Sequence, residues 1–149
     1  MSSQTGYTHR FNLRVYYEDT DAVGIVYYAN YLRYAERART ELMRELGVKG
    51  SKLFSYSELV LVVRRCKVDY IRPAFLDDFL VVDTELQRIG GASIDLTQTI
   101  KRSCELLVSI NITLGCMSLK GSAARLPALV RETLISYLNS KQSQENQGS

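Results

Sequence analysis

The feature that most constrains this chain is a change of hydrophobic period. Tyr31, Ala35, Ala38, Leu42 and Leu46 recur at helical spacing, with Arg33, Glu36, Arg37, Glu41 and Arg44 distributed around the rest of the turn. This predicts one long amphipathic helix over about residues 28–46, stopped by Gly47. Beyond it the period falls to two. Val60, Val62, Cys66, Val68 and Tyr70 alternate with Arg65, Lys67 and Asp69, and Arg72-Pro73 closes the run. Leu80, Val82, Thr84 and Leu86 form a second alternating run, Ile94, Leu96 and Ile100 a third, and Leu106 to Met117 a fourth. Gly90-Gly91 between the second and third is a hairpin signal. Ahead of the helix, Phe11, Leu13, Val15 and Tyr17 share one face of another strand, and Pro127 opens a short helix to about Leu138.

The expected fold is therefore α+β: a long helix covering an antiparallel sheet of about five strands, with a short C-terminal helix. The strands from residue 60 onward are expected to be joined by hairpin-type links. Apolar residues at Leu61, Val63 and Ile71 are expected on the face away from the helix, and this surplus points to an oligomer. One domain spans residues 8–138. Residues 1–7 and 139–149 are polar and are expected to be flexible ends.

Composition narrows the chemistry. The chain has one histidine in 149 residues and a net charge of +3. A Ser–His–Asp triad, a histidine-rich zinc site and a His/Asp dehydratase pair each need an imidazole. His9 stands near a polar N-terminus and is expected to be dispensable. The charge is too weak an argument for nucleic acid, and no run approaches the ~20 apolar residues of a membrane helix. Cys66, Cys104 and Cys116 form no CxxC and are expected to be buried thiols of a cytoplasmic protein, with no metal site among them.

Tyr17-Glu-Asp-Thr-Asp-Ala-Val-Gly-Ile-Val-Tyr-Tyr-Ala-Asn-Tyr31 is the least ordinary stretch. Carboxylates at 18, 19 and 21 precede the helix. The plain reading is a helix lead-in, because acids favour the positive end of a helix. A second reading is magnesium-dependent phosphoryl transfer on the Asp19-Thr-Asp21 pair, but that chemistry belongs with repeated βαβ units, which this pattern lacks. A third is a carboxylate working beside a helix N-terminus, whose free N–H groups stabilise a carbonyl oxygen as it becomes an oxyanion. Thioesters suit such a site, because a thiolate leaves without a strong general acid.

The run VYYEDTDAVGIVYYANYLRYAERARTELMRELG, Val15 to Gly47, closely resembles the signature of hot-dog-fold acyl-CoA thioesterases, of the 4-hydroxybenzoyl-CoA thioesterase and Tol-Pal-associated types. Tyr70-Ile-Arg-Pro-Ala-Phe-Leu-Asp-Asp78 resembles a further family segment, and the likeness covers roughly residues 8–138. The resemblance implies a long helix wrapped by the sheet, dimers of edge-paired sheets that pair into tetramers, and active sites at the dimer interface. It implies Asp21 as the catalytic acid, nucleophile or general base. It makes Tyr28 the helix-start residue whose backbone N–H polarises the thioester carbonyl, and Tyr17 a pocket tyrosine on the helix side of the sheet. Many Tol-Pal-associated members carry histidine where Tyr28 stands, so a mechanism through that imidazole is closed here. Arg88 and Ser93 are the candidates to hold the CoA phosphates. No metal or cofactor is implied. The resulting expectation is hydrolysis of acyl-CoA to free acid and CoA. The competing expectation is a non-catalytic module that binds acyl-CoA or acyl carrier protein.

Overall fold

The computed structural model describes residues 8–48 and 58–147, residues 141–147 by backbone alone. The order is β1 (Thr8–Arg14), a 3₁₀ turn (Tyr17–Asp19), α1 (Asn30–Glu45), β2 (Leu59–Tyr70), β3 (Phe79–Ile89), β4 (Ser93–Arg102), β5 (Glu105–Ser118) and α2 (Ala128–Gln147). The strands form one antiparallel sheet in the order β1-β3-β4-β5-β2. This is the expected α+β hot-dog architecture, with the long helix against one sheet face.

The small residues of α1 explain how closely it lies on the sheet. Ala35 and Ala38 are fully buried with Tyr34 and Leu42, against the inward row Leu80, Val82, Leu86, Ile94, Leu96, Ile100 and Ile110. Two polar side chains sit in this layer and are satisfied there. The Gln98 amide donates to the Ala35 carbonyl and to Thr84 Oγ1, both at 2.9 Å, and its Oε1 accepts from Arg39 Nη1 at 3.0 Å. The helix ends as the sequence predicts. Gly47 adopts φ +78°, and the Gly47 and Val48 N–H groups close onto the Arg44 and Met43 carbonyls. Gly47→Ala places a Cβ in that left-handed conformation. It is expected to cost about 1 kcal/mol and to lower Tm by about 2–4 °C, read by thermal melting.

The structure corrects several details. Strand β2 is not joined to β3 by a hairpin. It lies at the far edge beside β5, and residues 71–78 carry the chain back across the end of the sheet. The alternation in β2 breaks at a bulge between Val63 and Arg65, which resets its phase. Leu61 and Val63 therefore pair with inward Cys116 and Leu114, on the same face as Cys66, Val68 and Tyr70. The apolar surplus lies along the inner border of an open edge, not on the outer face.

Strand β1 ends at Arg14, so Tyr17 leaves the face of Phe11 and Leu13 and stands in the 3₁₀ turn, 82 % exposed. His9 is a buried residue of β1, its Nε2 3.4 Å from Glu45 Oε1 at the end of α1, and is not part of a loose end. Its replacement falls on packing. Cys66 and Cys104 are exposed, and only Cys116 is buried. The backbone of α2 continues past Leu138 to Gln147. Residues 1–7 lie outside the described residues.

Candidate active site

The crossover residues 71–78 and the loop ahead of α1 build one end of the molecule together. Val26 N–H donates to the Ala74 carbonyl at 2.9 Å, Leu76 N–H to Gly24 at 3.1 Å, and Val15 exchanges bonds with Asp77 and Asp78. Arg102 Nη1 donates to Asp78 Oδ2 at 2.7 Å and fixes the crossover from the β4 side. The Tyr31 hydroxyl accepts from Ala74 N–H at 2.9 Å, tying α1 to the same segment.

The two aspartates of the DxD have different tasks. Asp19 is buried. Its Oδ2 accepts from Tyr16 N–H at 2.9 Å and its Oδ1 from Asn30 Nδ2 at 3.1 Å. Its carbonyl accepts from Tyr27 N–H at 3.0 Å and again from Asn30 Nδ2 at 3.2 Å. Asp19 and Asn30 thus clamp the loop onto the first residue of the helix. Burial, and then the neighbouring Asp19 carboxylate, push the Tyr34 phenol well above its ordinary range, though its hydroxyl makes no hydrogen bond among the described residues.

Asp21 is exposed. Its Oδ1 accepts from Val23 N–H at 3.0 Å and Ile25 N–H at 3.2 Å, while its backbone bonds Ile25 O and receives Gly24 N–H. Gly24 takes φ +83° to make this turn. One carboxylate oxygen is held, and the other makes no hydrogen bond among the described residues.

Helix α1 begins at Asn30 with Ala29 as its cap, so Tyr28 lies two residues ahead of the helix and does not begin it. The difference arises because Asn30 N–H first closes a turn onto the Tyr27 carbonyl at 2.8 Å. The Tyr28 and Ala29 N–H groups have no acceptor among the described residues, and both stand at the positive end of the helix. Tyr28 is 61 % exposed; its carbonyl accepts from the Tyr70 hydroxyl at 3.3 Å, and its ring meets that of Tyr70 edge-on. The structure therefore brings Asp21 and Tyr28 to one end of the sheet, with Tyr17 exposed nearby on the preceding turn.

Arg88 and Ser93 lie toward the far end of the sheet: Arg88 is nine residue steps along β3 from Phe79, which stands beside the loop, a span of roughly 30 Å. They line a groove of about 580 Å³ on the outer sheet face, together with Arg64, Arg65, Lys67 and Asn111. The sequence reading missed Asp19 as the clamp, Asn30 as its partner, and Tyr70. An acid followed eleven residues later by an amide at a helix start was the available signal, legible only once the loop is known to fold back. Among the described residues no three His, Cys, Asp or Glu side chains gather as metal ligands, and no helix is long and apolar enough to cross a membrane.

Comparison with known proteins adds to this geometry. The profile of the thioesterase-like superfamily matches residues 15–134. The Haemophilus influenzae acyl-CoA thioesterase YbgC is 42 % identical over 109 residues, 73 % of this chain and 80 % of that protein. A probable thioesterase from Bartonella henselae superposes with a TM-score of 0.76 at 36 % identity, over 80 % of this chain and 99 % of that one. A Staphylococcus aureus protein solved in complex with CoA shares the fold alone, with a TM-score of 0.83 at 13 % identity over 94 % of this chain and 89 % of that one.

Proposed function

As a member of the thioesterase-like superfamily the chain is a thioester hydrolase, and we propose that it is a cytoplasmic acyl-CoA thioesterase whose Asp21 carboxylate works beside the start of α1. The observation that carries this reading is the Asp21 turn. One carboxylate oxygen is fixed by two backbone N–H groups, which aims the other. As nucleophile, that oxygen attacks the thioester carbon, the C–S bond breaks, CoA leaves as thiolate, and water then cleaves the acyl-aspartyl anhydride. As general base, it takes a proton from water that attacks the same carbon. In either form the negative charge that develops on the carbonyl oxygen meets the Tyr28 N–H at the helix end. Tyr17 walls the approach.

One copy of the chain separates Asp21 from Arg88 and Ser93, and a second copy reunites them. Strand β2 is a twelve-residue edge with one side unpaired. Antiparallel pairing of two such edges sets the Tyr70 end of one strand beside the Leu59 end of the other. The partner subunit's Asp21 then approaches the end of the sheet where Arg88 and Ser93 stand ready for the CoA phosphates. The acyl group enters between the subunits, and pairs of dimers complete a tetramer.

The test is thiol release from short, long and aromatic acyl-CoAs. Multiple turnovers, unaffected by EDTA, are expected with at least one of them. Tight acyl-CoA or acyl carrier protein binding without thiol release would replace the enzyme by a binding module.

A further inference from the structure

Arg64 occupies the extra position of the β2 bulge, between Val63 paired with Leu114 and Arg65 paired with Thr113. Its side chain crosses β5 directly over Gly115. A Cβ on residue 115 would fall 2.7 Å from Arg64 Cγ, and closer still to Cδ. Gly115 is not among the glycines with positive φ, so the backbone there does not demand glycine. What demands it is the space the arginine occupies. Bulge and glycine together lay Arg64 along the floor of the outer groove.

The groove gathers Arg64, Arg65, Lys67 and Arg88. Several cations elsewhere are paired: Arg10 and Lys101 with Asp83, Arg72 and Arg102 with Glu105. Among the described residues none of the four groove cations has a carboxylate in ion-pair range. The groove's acid, Asp95, accepts the Thr113 hydroxyl at 2.8 Å. Like charges collected in a concave surface repel one another and attract a polyanion. Ser93, Thr97 and Asn111 add neutral polar groups to the same groove.

We infer that this groove binds the phosphates of a nucleotide, and that Arg64, held over Gly115, is a specificity-determining contact. The nucleotide end of CoA and a free nucleotide offer the same chemistry. The first source rests on the thioesterase reading, and the second does not. Arginine suits the task, because its planar fork meets phosphate oxygens in pairs.

The probe is adenosine 3′,5′-bisphosphate, titrated calorimetrically into the full chain. Arg64→Ala and Gly115→Ala are each expected to weaken its binding about tenfold, and added salt to weaken it further in the wild type. Gly115→Ala is the sharper variant. It removes no charge, alanine fits an extended strand, and thermal stability is expected to hold. Lys120→Ala, which removes an equal charge on an exposed turn, is expected to leave binding unchanged.

With CoA as the source, both groove variants raise KM for acyl-CoA about tenfold but not for acyl-pantetheine, which lacks the nucleotide. Weakened bisphosphate binding with KM for acyl-CoA unmoved assigns the groove to a free nucleotide. Equal bisphosphate affinity in wild type, Arg64→Ala and Gly115→Ala overturns the inference. Absence of turnover of either thioester by the wild type counts against the thioesterase reading alone, because the titration reads the groove independently.

Discussion

Asp21→Asn is expected to lower kcat for acyl-CoA hydrolysis by on the order of 10³-fold or more, with the melting temperature unchanged. The separation of the two effects follows from the turn. Asparagine keeps an Oδ1 that can accept from the Val23 and Ile25 N–H groups, so the loop retains its shape. What it loses is the anionic second oxygen, an atom that can attack a carbonyl carbon or take a proton from water. Asp21→Ala is the less informative variant, because it removes the turn together with the carboxylate. Steady-state kinetics beside a thermal melt checks the prediction. An unchanged kcat in the asparagine variant removes Asp21 from the chemistry.

Asp19→Ala has the opposite signature, a large loss of stability that brings a loss of activity with it. The carboxylate is buried, and its removal leaves Tyr16 N–H without its acceptor and Asn30 Nδ2 with the Asp19 carbonyl alone. A buried donor stranded in this way costs about 1–3 kcal/mol. The stranded Tyr16 N–H and the lost Asn30 bond together predict a loss of about 3 kcal/mol and a fall in Tm of roughly 6–12 °C. Asn30→Ala removes the other half of the clamp. The double variant is expected to cost less than the sum of the two single ones, because each already breaks the shared bond. Chemical denaturation of the four proteins measures that coupling. Additive losses would mean that the loop is held by something other than this pair.

The DxD shows where sequence reading stops. Three acids ahead of a helix are visible in the sequence, but the division of the DxD pair into one buried and one exposed carboxylate is not. That division depends on the 3₁₀ turn at Tyr17–Asp19, which buries Asp19 and turns Asp21 outward. The long helix was legible because Tyr31, Ala35, Ala38, Leu42 and Leu46 keep one period over about four turns, and Gly47 is the residue that tolerates φ +78°. The strands were legible for the same reason. Their order was not, because alternation gives the facing of a strand and says nothing about its neighbour. Strand β2 reads as part of a hairpin series, yet residues 71–78 return the chain across the sheet, and this crossover supplies the support under the loop. The bulge at Arg64 was hidden by the near-continuous apolar run before it, in which either phase fits. The partial charges at the start of α1 were anticipated at Tyr28. The helix proper begins two residues later, because the Tyr27 carbonyl captures Asn30 N–H. Arg88 and Ser93 do line a groove, at the end of the sheet away from Asp21 in the same copy of the chain.

On the proposed function, that last separation means that one thioester is handled by two copies of the chain across the β2 edge. Mixing Asp21→Asn and Arg88→Ala proteins, with denaturation and refolding to exchange subunits, tests it most directly. Each variant alone is impaired at both of its sites. A mixed dimer contains one site that joins an intact Asp21 from one copy to an intact groove from the other. At low acyl-CoA concentration, a one-to-one mixture is expected to recover about a quarter of wild-type kcat/KM, since half of the dimers are mixed and each carries one complete site. Activity equal to the mean of the two variants, with no recovery on mixing, would mean that Asp21 and Arg88 do not serve one site across two copies.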